Sequence, residues 1–366
     1  MKINLIFFLA RFGFGGAGNS VFRLATSLNQ KKYKIFIICL NHCAYEKQFI
    51  RKGIKVYKLN AKKLIFSIFQ LKKITKTLIN KKTENIFISN INYTNIFCSL
   101  LFWKNKDLKL IGIERTPLKE LEIYFNSIDM IKKFILRTLL RLSYHRIEQI
   151  VCNSNYMSVY LKKEYNFKSK VIYPPSIIRK NQKEKLPNYK KEKKINIITI
   201  CRLSKEKKLE EILYAMKILE NKNIFLNIVG DGPEKKNLKI LAKSLNLSHK
   251  IKFFGHISKT KSILKKSHLY INSSYFEGFP NSVVEAADIG LPIISSQSHG
   301  GINEILSNGK FGTIYNNNHE ELALKIEKFI NNPSDFYKKA ILAKKNILRF
   351  NITNHKREFE KLLDKI

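Results

Sequence analysis

Short apolar runs alternate with segments of helical periodicity along the whole chain. Runs that are apolar on both faces are typical of parallel strands covered by helices on either side. The alternation therefore predicts an α/β fold built from βαβ units. The strands predicted in the first half are 3–8, 34–40, 55–59, 85–89, 108–113, 149–153 and 171–173.

The alternation is interrupted at Tyr173-Pro174-Pro175-Ser176, which can continue neither a helix nor a central strand. Residues 176–194 are Lys-rich and lack apolar periodicity, so they are predicted to be a linker. The strands predicted after it are 195–201, 225–229, 251–254, 269–272, 292–295 and 313–315. We therefore predict two doubly wound domains, 1–175 and 195–345. A helical segment, 346–366, would cap the second domain or pack back on the first.

Composition agrees with a globular protein, since 44% of the 366 residues are hydrophobic and 26% are charged. The formal net charge of +40 favours anionic partners such as phosphates, nucleic acid or an anionic membrane. The alternative is a Lys- and Asn-rich surface that is simply solvated. Both interpretations remain open at this point.

The five cysteines have no C-x-x-C spacing, and several lie inside apolar runs. An odd number without a framework suggests a reducing compartment, which predicts a cytoplasmic protein. No apolar run approaches the ~18 residues of a membrane-spanning helix. The first residues could pass for a short signal peptide, but we favour a buried strand because the run leads directly into a glycine-rich turn.

Ligands of open parallel sheets bind beyond the carboxyl ends of the strands, so the strand-to-helix junctions are the candidate sites. The first junction contains Gly13, Gly15, Gly16 and Gly18 ahead of an apolar helix. Such glycines let backbone N–H groups approach an anion at a helix N-terminus. The G-x-G-x-x-G match would suit a dinucleotide, but the acidic residue expected after the second strand is missing. A nicotinamide-dependent enzyme is therefore disfavoured.

The second junction follows the first strand of the second domain and carries Arg202 and Lys207. Cations at the carboxyl end of a strand could clamp a diphosphate through charge-assisted hydrogen bonds. The alternative is a solvated, charged turn with no ligand.

The third junction is the most informative, and it runs from Glu277 to Glu285. A helix is predicted to start at Pro280 and Asn281, where unpaired N–H groups can hold phosphate oxygens. Carboxylates suit sugar hydroxyls because each can accept two O–H bonds. Glu285 has an alternative role, since Ser282 and Glu285 have the spacing of a capping box.

The segment from Glu277 to Glu285 resembles the E-x7-E motif of glycosyltransferase family four. Members of that family are retaining enzymes with the GT-B fold, in which two Rossmann-like domains face each other across a cleft. Further segments are similar to the family in the same order: Gly15-Gly16-Ala17, Arg202 with Lys207, Gly230-Asp231-Gly232-Pro233, Phe254-Gly255, Gly290-Leu291-Pro292 and Gly300-Gly301-Ile302-Asn303-Glu304. The match covers most of the second domain and only the start of the first.

The resemblance implies a role for each matched residue. Arg202 and Lys207 would bind the donor diphosphate and, with Glu277 near the transferred sugar, would form the catalytic set. Glu285 would hold the ribose. Further donor-binding residues would be Gly15, Gly16, Gly230, Phe279, Pro280, Asn281, Ser282 and Val283. The family works without a metal or another cofactor, and the chain has no dense Asp or His cluster with ligand spacing.

The implied reaction is retaining transfer of a hexose or N-acetylhexosamine from a UDP- or GDP-linked donor to a lipid-linked glycan or a lipopolysaccharide-type acceptor. Cys201 and Lys208 stand where the family often has glycine, which changes the local backbone. Arg115 follows a first-domain strand where relatives often carry a His, and it could contact the acceptor side.

Two segments could touch an anionic membrane, residues 62–82 with Lys62, Lys72, Lys73 and Lys76, and residues 128–147 with five cations. The alternative for residues 62–82 is an ordinary helix whose apolar stripe faces the core. We expect loose attachment to the cytoplasmic face of the inner membrane. Two other functions are possible alternatives. A polyanion- or RNA-binding protein would explain the charge. A nucleotide-sugar epimerase would have the same fold but would lack the E-x7-E arrangement. Neither fits the junctions as well, and no nucleic-acid partner is predicted.

Overall fold

The computed structural model describes residues 2–177, 194–257 and 259–366. The chain divides into two compact units, Met1–Pro175 with Ile352–Ile366, and Ser176–Asn351. Each unit contains one parallel sheet with helices on its faces.

The sheet of the first unit has seven strands in the order β3-β2-β1-β4-β5-β6-β7, all parallel. Its strands are β1 Ile3–Phe8, β2 Tyr33–Cys39, β3 Lys55–Lys58, β4 Asn85–Asn90, β5 Lys109–Glu114, β6 Gln149–Cys152 and β7 Ser169–Val171. In the central strand, Leu5 and Phe7 face one layer of the core and Ile6 and Phe8 the other, and none of the four is exposed. Burial on both faces explains why this strand is apolar at most positions.

The helices of the first unit are α1 Gly16–Ser27, α2 Glu46–Arg51, α3 Ile68–Leu78, α4 Asn92–Leu101, α5 Ser127–Ser143 and α6 Asn155–Tyr165. Along the sheet, the connections after β1 and β2 run in one direction, and those after β3, β4, β5 and β6 run in the other. Because such crossovers are right-handed, α1 and α2 cover one face of the sheet and α3 to α6 cover the opposite face.

The second unit has a six-stranded parallel sheet in the order β10-β9-β8-β11-β13-β15 and a separate parallel pair, β12 with β14. Its strands are β8 Ile195–Ile200, β9 Ile224–Val229, β10 Ile251–Gly255, β11 Leu269–Asn272, β12 Phe276–Glu277, β13 Ile293–Ser296, β14 His299–Gly300 and β15 Thr313–Tyr315. Its helices are α7 Leu209–Ile218, α8 Lys235–Ser244, α9 Lys261–Leu264, α10 Asn281–Asp288, α11 Ile302–Leu306, α12 His319–Asn331 and α13 Pro333–Asn346.

The thirteen predicted strands are all present, with ends that differ by one or two residues, which confirms the α/β fold with two parallel sheets. The pair β12 and β14 was not predicted, because strands of two residues leave no periodic pattern to detect. In the part of the chain that the structure describes, no helix combines the length and the apolar character needed to cross a bilayer.

The ends of the second unit differ from the predicted boundaries. Of the predicted linker, residues 178–193 lie outside the described residues, whereas Ile177 pairs with Asn351 inside the second unit. At the other end, the division falls after Asn351 rather than after residue 345, because Phe350 is buried there against the ring of Phe279. The last helix, α14 Ile352–Leu363, belongs to the first unit and packs its Phe359 into that core.

Candidate functional site

The loop after β8 carries the two predicted cations. Arg202 follows the strand directly, and Lys207 ends a short 3-10 turn, Lys205–Lys207. The loop after β9 supports this segment, since the Leu203 amide donates to the Asp231 carbonyl at 3.0 Å. The backbone near Arg202 is therefore held by contacts from a neighbouring strand end.

Gly230 explains how the two loops come so close. Its φ of +136° is in a region that side chains rarely adopt, and a Cβ placed on it would lie 1.8 Å from the Cys201 carbonyl oxygen. Gly232 is similarly restricted by the Leu203 carbonyl oxygen, at 2.2 Å from its ideal Cβ. The glycines of the predicted turn thus shape the loop that presents Arg202.

The segment after β11 leads to Glu277. Phe276 and Glu277 form β12, which pairs with His299 and Gly300 of β14. The Gly301 amide also donates to the Gly278 carbonyl at 3.1 Å. The glycine pair at 300 and 301 therefore fixes the backbone on which Glu277 sits.

Lys207 and Glu277 meet as an ion pair, although they are far apart in the chain. The two side chains are only 14% and 18% exposed. Ser274 donates its hydroxyl to the same carboxylate oxygen at 3.0 Å. Burial by itself would lower the pKa of the Lys207 ammonium, but the Glu277 carboxylate more than offsets this, so the pKa of Lys207 is raised above its usual value. A charged lysine is thus maintained in a poorly solvated position.

The amino end of α10 follows four residues after Glu277. As predicted, the helix begins at Asn281, with Pro280 as the residue before it. The Val283 amide donates to the Pro280 carbonyl, whereas the Asn281 and Ser282 amides have no acceptor among the described residues. Two N–H groups at the positive end of a helix can therefore serve an anion.

The capping-box alternative for Glu285 is wrong. Ser282 lies inside the helix rather than at its N-cap, and its hydroxyl accepts a hydrogen bond of 2.8 Å from Tyr270. Glu285 instead accepts a hydrogen bond of 3.1 Å from the hydroxyl of Thr260. The two predicted carboxylates thus have different partners, Lys207 for one and Thr260 for the other.

Arg202 differs from Lys207 in its surroundings. It is exposed, and none of the described residues forms a hydrogen bond or an ion pair with its guanidinium. An exposed arginine beside a buried Lys–Glu pair can bind a planar or tetrahedral anion without first breaking another contact.

The other predicted donor-side residues of the second unit have roles in packing. Phe279 and Val283 are buried in the core around α10, and Asn281 accepts a hydrogen bond of 2.5 Å from the hydroxyl of Ser176. Phe279 and Val283 can therefore serve a ligand through their backbone and not through their side chains.

In the first unit, the glycine loop leads into α1 as predicted, with Gly15 as the N-cap and Gly16 as the first helical residue. A Cβ on Gly18 would lie 2.0 Å from the Gly13 carbonyl oxygen, so that glycine is required by packing. No neighbour lies near the Cβ position of Gly15, which leaves the backbone open at this point.

Arg115 lies after β5 at the carboxyl edge of the first sheet, where its Nε donates to the Asn90 side chain at 2.9 Å. Burial lowers the pKa of Arg115 to about 10. Nδ1 of His355, on α14, donates to the Tyr173 carbonyl at 2.7 Å, and burial lowers the pKa of His355 to about 4. Sequence patterns gave no indication of His355, because it lies 240 positions after Arg115 along the chain.

Glu114 is a second residue that the sequence did not single out. Its Oε1 accepts from Asn95 at 2.6 Å and from the Tyr144 hydroxyl, whereas its Oε2 is buried with no partner in the described part of the chain. Burial raises the pKa of Glu114 to about 7, and the two hydrogen bonds offset only part of that rise. A charged residue at the end of an apolar strand is the only signal that could have identified it.

No three His, Cys, Asp or Glu side chains lie together as metal ligands would within residues 2–177, 194–257 and 259–366. The second unit thus presents cations, a carboxylate and helix amides at one edge of its sheet. This set is able to hold a diphosphate and to contact a hydroxylated ligand.

Two family models match the chain. The model described as Glycosyltransferase Family 4 matches residues 14–175, and the model described as Glycosyl transferases group 1 matches residues 179–346.

Known proteins match over most of the chain. An uncharacterised glycosyltransferase of Methanocaldococcus jannaschii is 30% identical over 90% of both chains. The N-acetylgalactosamine-N,N'-diacetylbacillosaminyl-diphospho-undecaprenol 4-alpha-N-acetylgalactosaminyltransferase of Campylobacter jejuni is 24% identical over 84% of both. An uncharacterised glycosyltransferase of Haemophilus influenzae is 30% identical, but over only 44% of this chain and 45% of that protein.

Among solved structures, HepE of Anabaena in complex with UDP and glucose superposes with a TM-score of 0.78 at 16% identity, and the match covers all of both chains. At this level of identity the similarity concerns the fold, which is the GT-B fold of glycosyltransferases.

Proposed function

This chain belongs to glycosyltransferase family 4, and on that premise we propose that it transfers a hexose or an N-acetylhexosamine from a UDP- or GDP-linked donor with retention of the anomeric configuration. The observation that supports the proposal most is the Lys207–Glu277 ion pair at the strand edge that also carries Arg202 and the amino end of α10.

In the proposed complex, the donor diphosphate lies against Arg202, Lys207 and the amides of Asn281 and Ser282. Transfer breaks the bond between the anomeric carbon and the diphosphate oxygen, so negative charge develops on the leaving diphosphate. Fixed cations and the positive end of a helix stabilise that charge without needing to reorganise. The oxygen of an acceptor hydroxyl forms the new bond to the anomeric carbon, and its proton passes to the leaving diphosphate oxygen.

Glu277 has two functions in this scheme. Its carboxylate keeps Lys207 charged and oriented, and it accepts hydrogen bonds from hydroxyls of the transferred sugar. Glu285, which is held by Thr260, is assigned to the ribose hydroxyls. Gly15, Gly16 and Gly230 are assigned to the donor site through their backbone.

The proposed acceptor is a lipid-linked glycan or a lipopolysaccharide-type glycan. Support comes from the Campylobacter jejuni relative, whose name specifies a diphospho-undecaprenol substrate, and from the net charge of +40. Arg115 is assigned to the acceptor side. An acceptor of this kind requires the enzyme to work at the cytoplasmic face of the inner membrane as a peripheral protein.

The donor site can be tested by calorimetric titration of UDP, GDP and ADP into the full chain. One of them should bind, and Lys207→Met or Arg202→Met should weaken that binding by about 10- to 100-fold, because each removes a charge-assisted hydrogen bond. Lys217→Met provides the matched control, since Lys217 lies on α7 of the same unit and is paired with Glu220, which follows that helix.

If none of the three nucleotides binds, or if the Lys207 and Arg202 variants bind as tightly as the Lys217 variant, the donor site is wrong. Retention is tested separately by NMR of the product, whose anomeric configuration should equal that of the donor. Conversion of the donor sugar to its epimer without an acceptor would support an epimerase instead.

A further inference from the structure

Helix α5 has apolar side chains on the side that faces solvent. The exposed fractions are large: 80% for Ile128, 57% for Ile131, 67% for Phe134, 51% for Ile135 and 60% for Leu142. At 100° per residue these five positions lie within about 120° of the helix circumference, so they form one continuous stripe. We call these five residues the α5 stripe.

The fold does not need the α5 stripe. The opposite side of the helix already packs into the first unit, where Leu140 is fully buried and Leu136 and Leu139 contact the same cluster. An outward-facing helix side in a globular protein is normally polar. Five large apolar residues on that side therefore indicate a surface that is covered by something else.

The charges around the α5 stripe are of one sign. Lys132 and Arg141 are exposed along its two edges. The helix contains a single acidic residue, Asp129, which is paired with Lys133 at 2.7 Å and lies on the inner side. The outer side thus combines an apolar centre with a cationic rim.

A second exposed apolar group lies at the start of α3. Ile65, Phe66 and Phe69 are 64%, 65% and 85% exposed. They are followed on the same helix face by Lys72 and Lys73, which are also exposed. The apolar stripe predicted within residues 62–82 faces the core, as the interpretation of an ordinary helix expected, since Leu71 and Leu78 are buried there.

Topology places the two groups on the same side of the first unit. The connections that contain α3, α4 and α5 run in one direction along the sheet, so all three helices cover the same face. Helix α4 contacts α5 and shares a core cluster with α3. Leu100, near its end, and Trp103, just after it, are 42% and 48% exposed.

We propose that the outer face of helices α3, α4 and α5 is a docking surface for an anionic lipid bilayer, with the α5 stripe entering the acyl region and the lysines and arginines contacting the headgroups. The chemistry matches what interfacial helices use, apolar and aromatic residues on one side and Lys or Arg at the edges. A second copy of the chain is a poorer occupant, because a symmetric contact would bring two cationic rims together. This inference rests on the proposed lipid-linked acceptor and names the surface that would bring the enzyme to it.

The test is co-sedimentation of the full chain with vesicles of phosphatidylcholine alone and of phosphatidylcholine mixed with phosphatidylglycerol. The protein should prefer the mixed vesicles. Ile131→Glu with Phe134→Glu should reduce partitioning at least about tenfold, because two apolar side chains no longer leave water. The matched control is Ile240→Glu with Leu324→Glu, which changes residues of 59% and 64% exposure in the second unit and should leave partitioning unchanged.

A second pair of substitutions tests the rim. Lys132→Glu with Arg141→Glu should remove the preference for anionic vesicles, and the binding that the wild-type protein shows should weaken as salt is raised. Circular dichroism verifies that each variant is folded. All these positions are exposed, so the substitutions leave the core intact.

The proposal is overturned if the wild-type protein binds neither vesicle, or if the stripe variant partitions like the control. It is also overturned if the stripe substitutions abolish a dimer in analytical ultracentrifugation while vesicle binding is absent, which would assign the surface to a second copy. Nucleotide binding is measured on the same samples. A wild-type protein that binds nucleotide but neither vesicle refutes this inference alone, whereas a wild-type protein that binds no nucleotide refutes the transferase.

Discussion

Separate and joint removal of the charges of Lys207 and Glu277 should distinguish the structural role of this ion pair from its catalytic role. Lys207→Met leaves a mostly buried carboxylate without its cation, and Glu277→Gln leaves a mostly buried ammonium without its anion. Breaking a fully buried pair costs about 3–5 kcal/mol. Because 14% and 18% of these side chains remain exposed, we expect about 2.5 kcal/mol for each single variant.

The double variant has no unpaired charge at this position, so it should be destabilised by only about 2 kcal/mol. The single effects sum to about 5 kcal/mol, which gives a coupling energy of about 3 kcal/mol. Differential scanning calorimetry measures this, since each single substitution should lower the melting temperature of the second unit by roughly 5–10 °C.

Activity should not follow stability. Lys207→Met removes a cation from the leaving diphosphate, so turnover should fall about 100- to 1,000-fold. The double variant should be at least as stable as either single variant, because it leaves no unpaired charge, but it should not recover turnover. Turnover is measured as release of nucleoside diphosphate from the donor. A double variant that regains wild-type turnover, or single variants as stable as wild type, would refute the assignment of Lys207.

Three further predictions concern the backbone and the buried titratable groups. Gly255→Ala should destabilise the second unit by ~1 kcal/mol, because Gly255 has a positive φ but open space around its Cβ position. Gly230→Ala should cost several times as much, because its Cβ would also meet the Cys201 carbonyl oxygen. Urea unfolding of the two variants measures the difference in free energy of unfolding. Burial raises the pKa of Glu114 to about 7, so the folded state keeps a proton that the unfolded state releases near pH 4.5. The free energy of unfolding should therefore fall by up to about 3 kcal/mol as the pH rises from 4.5 to 7. Urea unfolding measured between pH 4.5 and 7 should show no such loss of stability in Glu114→Gln. Because burial lowers the pKa of His355 to about 4, its contribution is present above pH 6.5 and lost as the pH falls toward 4; in the same measurement His355→Gln should weaken the acid-side loss.

Much of the fold could be predicted from the sequence, because a strand buried on both faces is apolar at most of its positions. Ile3–Phe8 and Leu269–Asn272 were predicted with their correct bounds for this reason. The start of α10 at Asn281 was predicted as well, since proline is compatible with the residue before a helix but not with its interior. These features depend on neighbours within a few residues along the chain.

Side-chain partners were much less accessible to sequence analysis. Glu277 was singled out for its spacing from Glu285, yet its partners are Lys207, 70 residues earlier, and Ser274. The spacing also allowed a capping box at Ser282, which is excluded because Ser282 lies inside α10 and Pro280 is the N-cap. Gly230 matched a motif, but its requirement for glycine follows from the Cys201 carbonyl on another strand.

The sequence by itself determined the order and character of the strands, the position of the glycine turns and the types of residue at each strand end. Only the tertiary structure decided which strand ends lie next to each other, and hence that Lys207 reaches Glu277. It also decided that His355 contacts the Tyr173 carbonyl and that α5 turns five apolar side chains to solvent. The physical reason is that the spacing of apolar and polar residues indicates only which residues share one face of a helix or strand. It does not report which face meets the core, nor which distant segment supplies a buried charge with its partner.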